Sequence, residues 1–193
     1  MIKKNFYFFI LILIANFNLN ILYANDVKEI ELDGMSLGES LLKFTSENEI
    51  NKNKLNYFED ERQYYVVFYN KNLSRFDDME IYLKTNDDNY IMKSINAGLY
   101  PKNLKECLKI KDEIKNEISS AINLQFVDAS YTHNYYTNSY INGDVAFLDG
   151  GFISLDCMFF DLKDKKKFTS LVDNLSVTIS LNEINDWIET GYK

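Results

Sequence analysis

Hydrophobic and polar positions alternate with two different periods along this chain, and the change of period predicts its elements. Between Gln63 and Tyr69 the run is β-branched and aromatic throughout, the mark of a strand buried on both faces. From Met79 to Lys84 the pattern has period two, with Met79, Ile81 and Leu83 on one side and Glu80 and Lys84 on the other. The polar turn Asn86–Asn89 leads into a further strand over Tyr90–Ile95, so these three segments predict an antiparallel meander. The period then lengthens. Leu104, Cys107, Leu108, Ile114, Ile118, Ala121 and Ile122 fall at helical spacing, and Asn103 with Glu106 supplies an N-cap and a third-position acid. One long helix over about 103–123 is the expectation.

Strand signals return at Leu124–Ala129, Asp144–Leu148, Phe152–Phe160 and Leu175–Ile179, with Asp149-Gly150-Gly151 closing a hairpin. Val27–Leu32 reads as a short first strand. Shorter helices are expected near 36–45, capped by Ser36 with Glu39, and near 181–190, capped by Ser180 with Glu183. A second cap at Ser46 with Glu49 starts one more helical turn. Strands before, between and after the helices make the fold class α+β.

The N-terminus follows a different logic. Lys3 and Lys4 precede the uncharged run Phe6–Ala15; Asn16, Asn18 and Asn20 interrupt the apolar character, and Ala24 closes it. This is the tripartite layout of a cleaved secretory leader, with 1–24 removed and Asn25 the new N-terminus. The competing reading is a retained anchor, but a spanning helix needs about 20 predominantly apolar residues. Cleavage leaves a single globular domain over 25–193, in the periplasm or outside the cell, with no stable membrane span. It retains 19 basic against 29 acidic side chains, a formal charge of −10. Such an acidic surface repels a phosphate backbone, so nucleic acid is excluded as a partner. The charge reads as spread along the chain rather than blocked.

An oxidising destination bears on the two cysteines. Cys107 lies on the buried stripe of the long helix, and alternation puts Cys157 on the same strand face as Ile153, Leu155 and Phe159. Packing that face on the helix would bring the sulfurs together, so a Cys107–Cys157 disulfide is expected.

Candidate chemistry is sparse. His133 is the sole histidine; a hydrolase would need it beside an acid such as Asp128 or Asp144, and the alternative is a surface histidine in a polar aromatic loop. One histidine and two distant cysteines cannot build a zinc site, and Asp77-Asp78 and Asp87-Asp88 lack calcium-loop spacing. No metal and no cofactor is implied. Tyr131, His133, Tyr135, Tyr136 and Tyr140 crowd one segment with Asn134, Asn138 and Asn142. Flat rings beside amides suit a peptide, carbohydrate or envelope-protein contact.

The stretch Ile30–Phe44 contains Gly34-Met-Ser-Leu-Gly-Glu-Ser-Leu-Leu42 and is followed by Ser46–Ile50. It resembles the opening of a group of small exported proteins from marine alphaproteobacteria with AT-rich genomes. That group also carries a Tyr-x-x-x-Ser-Ile stretch, here Tyr90–Ile95, and two cysteines placed as Cys107 and Cys157 are. The resemblance implies export and no activity. The sequence therefore points to a non-catalytic binding or envelope-associated module, with a His133 hydrolase as the alternative.

Overall fold

The structure is a computed structural model and describes residues 26–55, 57, 63–133 and 136–190. The leader read at 1–24 lies outside them. Its frame is a nine-stranded antiparallel sheet in the order β3-β4-β5-β6-β11-β10-β9-β7, with β8 also paired to β9. The strands are β3 (Lys54–Leu55), β4 (Tyr64–Tyr69), β5 (Asp78–Lys84), β6 (Met92–Leu99), β7 (Val127–Asp128), β8 (Tyr131–Thr132), β9 (Tyr140–Leu148), β10 (Gly151–Phe159) and β11 (Asn174–Leu181). A two-residue ribbon, β1 (Glu31–Leu32) with β2 (Met35–Ser36), precedes them. The helices are α1 (Glu47–Lys52), α2 (Leu104–Ile122), α3 (Leu162–Lys167) and α4 (Asn182–Glu189). This is the expected α+β class. The predicted meander is β4-β5-β6, and β11 returns between β6 and β10 to join it to the β9–β10 hairpin.

Helix α2 is the predicted long helix. Asn103 Oδ1 accepts from the Glu106 amide at 3.0 Å, and Glu106 reaches back to the Lys102 amide at 2.8 Å. Its inward stripe is Cys107, Lys111 and Ile114, all buried, whereas Leu104 is exposed. Lys111 fills the gap in the apolar spacing between Cys107 and Ile114. Its ammonium lies 2.7 Å from Asp144, which also receives Lys115 at 2.6 Å, and it donates to the Asn142 carbonyl at 3.1 Å. A buried lysine is stable there because its charge is paired and hydrogen-bonded. Beside this ion cluster the sulfurs of Cys107 and Cys157 are at bonding distance, with Cα atoms 6.0 Å apart. The expected disulfide forms for the expected reason: Ile153, Leu155 and Cys157 are fully buried on the strand face that meets α2.

Several expectations are corrected. The helix near 36–45 is strand β2 plus a 3₁₀ turn at Leu41–Lys43, capped by Ser40 rather than Ser36, because Gly38 takes a positive φ and breaks the run. Of Val27–Leu32, only Glu31–Leu32 is strand; Val27–Glu29 is a 3₁₀ turn capped by Asp26. The strand placed at Tyr90–Ile95 begins at Met92, since Tyr90 is left-handed at the end of the Asp87 turn. Leu124–Ala129 contributes only Val127–Asp128, and Ser180 caps nothing, being buried inside β11. Ser46 does cap α1, but Glu49 turns away to pair with Lys71 at 2.5 Å.

Closing a loop across 50 residues gives the Cys107–Cys157 bridge its leverage on the unfolded chain. Replacing both cysteines by alanine is expected to lower the unfolding free energy by roughly 4 kcal/mol in urea titration. An unchanged midpoint would show that the bridge constrains nothing.

Candidate functional site

Register fixes what each side of the sheet carries. The side bearing Cys157 is apolar and is covered by α2. On the other side two rungs of polar residues run across four central strands. In the first, Asp156 of β10 stands opposite Ser176 of β11, Ser176 opposite Gly98 of β6, and Gly98 opposite Asp78 of β5. In the second, Ser154, Thr178, Asn96 and Glu80 follow the same path. Neither rung carries Lys or Arg. Helix α4 covers one end of this face through Ile184 and Trp187 against Tyr64 and Tyr82, with Tyr64 and Trp187 rings 5.1 Å apart. Glu183 ties that helix down, accepting from Tyr64 at 3.0 Å and pairing with Lys93 at 2.8 Å.

Two glycines let the carboxylates lie down on the sheet. A Cβ at Gly98 would sit 2.5 Å from Asp78 Oδ1, and a Cβ at Gly143 would sit 2.6 Å from Asp156 Oδ1. The hydroxyls around them donate inward. Ser176 donates to Asn96 Oδ1 at 2.5 Å and Thr178 to the same oxygen at 3.3 Å, while Ser154 donates to Asp156 at 2.9 Å. Tyr100 donates to Asp78 at 2.5 Å, and Tyr57 donates to Glu80. With these hydroxyl protons committed, the floor presents chiefly acceptor lone pairs. The rings of Tyr57, Tyr100 and Tyr131 are all about half exposed along it.

Electrostatics separate the two faces. Burial pushes the Asp156 carboxyl above the usual range, against the Ser154 hydrogen bond. Burial does the same to Glu80, aided by the charge of Asp78, although the Tyr57 hydrogen bond opposes it. Tyr57 and Tyr100 are raised as phenols, first by burial and then by the carboxylates they bond. Behind the sheet, burial also works against ionised Asp144, but the hydrogen bonds and charges of Lys111 and Lys115 outweigh it and hold that carboxyl below the usual range.

The tyrosine-rich segment is only partly gathered. Tyr131, His133 and Tyr136 come together: the His133 ring lies 4.4 Å from Tyr136 and 6.3 Å from Tyr131, and Phe160 and Phe168 close the cluster against Tyr136. Tyr140 does not join them. Register pairs Tyr131 with Ile141 and Thr132 with Tyr140, so alternation puts Tyr140 on the opposite side of the sheet. Tyr135, like Asn134, lies outside the described residues.

His133 is half-buried in aromatic packing rather than displayed on a loop surface. Its Nδ1 accepts from the Tyr136 amide at 3.3 Å, so the neutral ring carries its proton on Nε2. A base oriented by an acid would donate from the nitrogen facing that acid. The acids expected beside it are engaged elsewhere: Asp144 with the two lysines, and Asp128 with the Ser130 amide at 2.9 Å. Asp87 accepts the Asn89 and Ile91 amides in its turn, and Asp77 accepts the Tyr100 amide beyond the end of β6. Among the described residues no group of His, Cys, Asp and Glu has the arrangement to hold a metal.

Ser154, Asp156, Ser176, Thr178 and Asn96 went unnoticed in the sequence because each is the unremarkable outward position of an alternating strand. Their meaning depends on strand order, which puts β11 between β6 and β10. Fold and site together define an α+β protein whose sheet is packed on one face and polar, acidic and tyrosine-framed on the other. No family profile, curated protein or solved structure matches the chain.

The opposite shifts carry opposite signs for stability. Asp144, lowered on folding, contributes stability at pH values above the unfolded carboxyl value of about 3.9, lost as pH falls through its folded value. Asp156 and Glu80, raised on folding, withdraw stability when ionised, and protonation through their raised values restores it. Asp144→Asn is therefore expected to cost about 3–5 kcal/mol, as for a broken buried pair. Asp156→Asn is expected to stabilise the protein at neutral pH. Urea unfolding of both variants from pH 3 to 8 checks the pair (roughly the carboxylate range and above). Equal effects of one sign would contradict it.

Proposed function

We propose that this protein is an exported, non-catalytic binding module that takes an extended, donor-rich segment, a basic peptide, across the polar face of its sheet. The observation that carries the reading is the direction of the hydroxyl bonds. Tyr57, Tyr100, Ser154, Ser176 and Thr178 donate into the protein's own acceptors. A ligand then meets carboxylate and amide oxygens, with aromatic faces beside them. Ammonium and guanidinium groups match both, through charge-assisted hydrogen bonds and cation–π contact. A carbohydrate needs donors and acceptors in comparable number, and a nucleic acid meets repulsion. Asp156 and Glu80 are raised by burial, and a cation placed between them would relieve that cost.

Export is supported by the leader-like pattern at 1–24 and by the cysteine pair, since disulfides persist in oxidising compartments. The resemblance to small exported alphaproteobacterial proteins points the same way. N-terminal sequencing of the protein recovered from cells is expected to begin at Asn25; a start at Met1 would overturn cleavage.

The binding test uses a short peptide of alternating lysine and glycine, its lysine-acetylated counterpart and a neutral oligosaccharide. Calorimetry gives affinity, and amide shift mapping gives location. Binding of the charged peptide alone is expected, with shifts at the two polar rungs and a loss of roughly tenfold or more for Asp78→Asn or Asp156→Asn. Because Asp156→Asn is expected to stabilise the fold, its loss of binding would not reflect unfolding. Preference for the oligosaccharide, or shifts elsewhere, would overturn the reading.

A further inference from the structure

The chain's positive charge is more concentrated than its even spacing at first suggests. Residues 162–172 hold four lysines, Lys163, Lys165, Lys166 and Lys167, against the single acid Asp164. The remaining 17 basic and 28 acidic side chains leave −11 for the rest of the molecule. The balance within the segment is more lopsided still. Asp164 is buried and turned inward, accepting from the Asn138 amide at 3.2 Å, its Nδ2 at 2.9 Å and Ser139 Oγ at 2.6 Å. Among the described residues Lys165 is the one of these lysines drawn into a salt bridge, 2.5 Å from Asp173. Lys163, Lys166 and Lys167 stand exposed.

Two apolar side chains stand out in solvent beside them. Leu162 at the start of α3 is 72% exposed and Val172 is 57% exposed. Asp173 holds the two ends of this segment together, accepting from the Phe160 amide at 2.9 Å as well as from Lys165. Leu162 is two residues from that anchor and Val172 is one. Fold stability gives no reason to leave both in water in a segment where three lysines are also exposed.

We infer that α3 and the turn after it form a docking surface for an anionic lipid bilayer. Lys163, Lys166 and Lys167 would meet the headgroups while Leu162 and Val172 enter the interface. Basic residues around a small exposed apolar tip are the chemistry of reversible interfacial binding, with each lysine contributing about fivefold near an anionic surface. The surface lies away from the start of the described chain. Asp26 bridges to Asp149 at the turn of the β9–β10 hairpin, whereas α3 follows the far end of β10. No described helix is long and apolar enough to span a membrane, so contact here would lie on the surface.

The test is co-sedimentation of the mature protein with vesicles of phosphatidylcholine alone or mixed in equal parts with phosphatidylglycerol. Binding is expected only with phosphatidylglycerol, and raised salt should release it. Lys163→Glu, Lys166→Glu and Lys167→Glu combined should weaken binding about a hundredfold. Leu162→Ser with Val172→Ser should weaken it several-fold while leaving the salt dependence. All five sites are exposed, so folding and the affinity of the sheet face for the lysine peptide should persist; that readout separates this inference from the proposed ligand site. Equal sedimentation with both vesicle types, no sedimentation with either, or full binding by the triple variant would overturn it.

Discussion

The docking of α2 on one face of the sheet is the constraint on which the rest of the molecule depends. It is secured in two chemically different ways within two helical turns. Cys107 is linked to β10, and Lys111 with Lys115 is held by Asp144 of β9. The bridge acts mainly on the unfolded chain, whereas the ion cluster acts on the folded one and specifies geometry. A helix sliding by one turn along the sheet would keep much of its apolar burial. Because Lys111 and Lys115 are themselves about one turn apart, it would leave Asp144 at most one of its two lysines and carry the other ammonium away from its acceptor. The buried charge therefore fixes register where hydrophobic contact alone would tolerate several.

Covering one face frees the other. A sheet that buries Ile153, Leu155, Val177 and Ile179 in one core with α2 and the N-terminal segment can spend the opposite positions on something other than packing. Those positions hold Asp156, Ser176, Asn96 and Glu80. Two of the acids are raised by burial, a cost that an asparagine or glutamine would avoid. Groups that destabilise a fold in this way are commonly sites of binding or chemistry, because stability alone would not select them. Gly98 and Gly143 belong to the same arrangement, since any larger residue would lift the carboxylates off the strands.

Much of the fold was legible because the signals were local and periodic. Asn103 and Glu106 marked the start of α2, and the alternation of Met79–Lys84 and Phe152–Phe160 sorted those strands into faces. The cysteine pairing followed from combining the two periods. What was missed depended on partners distant in sequence. Ser36 and Glu39 make a credible capping box, yet Gly38 between them adopts a conformation that no helix allows. Ser180 precedes a helix but is consumed by pairing with Ser94 and Phe152. The candidate face was hidden for the same reason. Nothing in Ser154 or Thr178 shows that the two are neighbours until β11 is known to lie beside β10. The tyrosine-rich segment drew attention by composition, and the sheet's period of two then divided it, sending Tyr131 and Tyr140 to opposite sides.

An acidic face and a basic helix on one small protein would neutralise each other if they were adjacent. Asp156 and Leu162 are six residues apart along a largely extended path, roughly 20 Å at the rise of a strand. The Debye length at physiological salt is about 8 Å, so exposed charges at that separation are largely screened from one another. Phe160, between Asp156 and Leu162 in sequence, belongs to the aromatic cluster with His133, Tyr136 and Phe168, where burial disposes the imidazole toward its neutral form. A molecule resting on an anionic surface through α3 would hold its acidic rungs away from that surface. Repulsion between the rungs and the headgroups would favour the same orientation that attraction at Lys163, Lys166 and Lys167 selects. The two patches thus need no contact with each other to act together, because the separation that keeps them independent also sets how the molecule would stand.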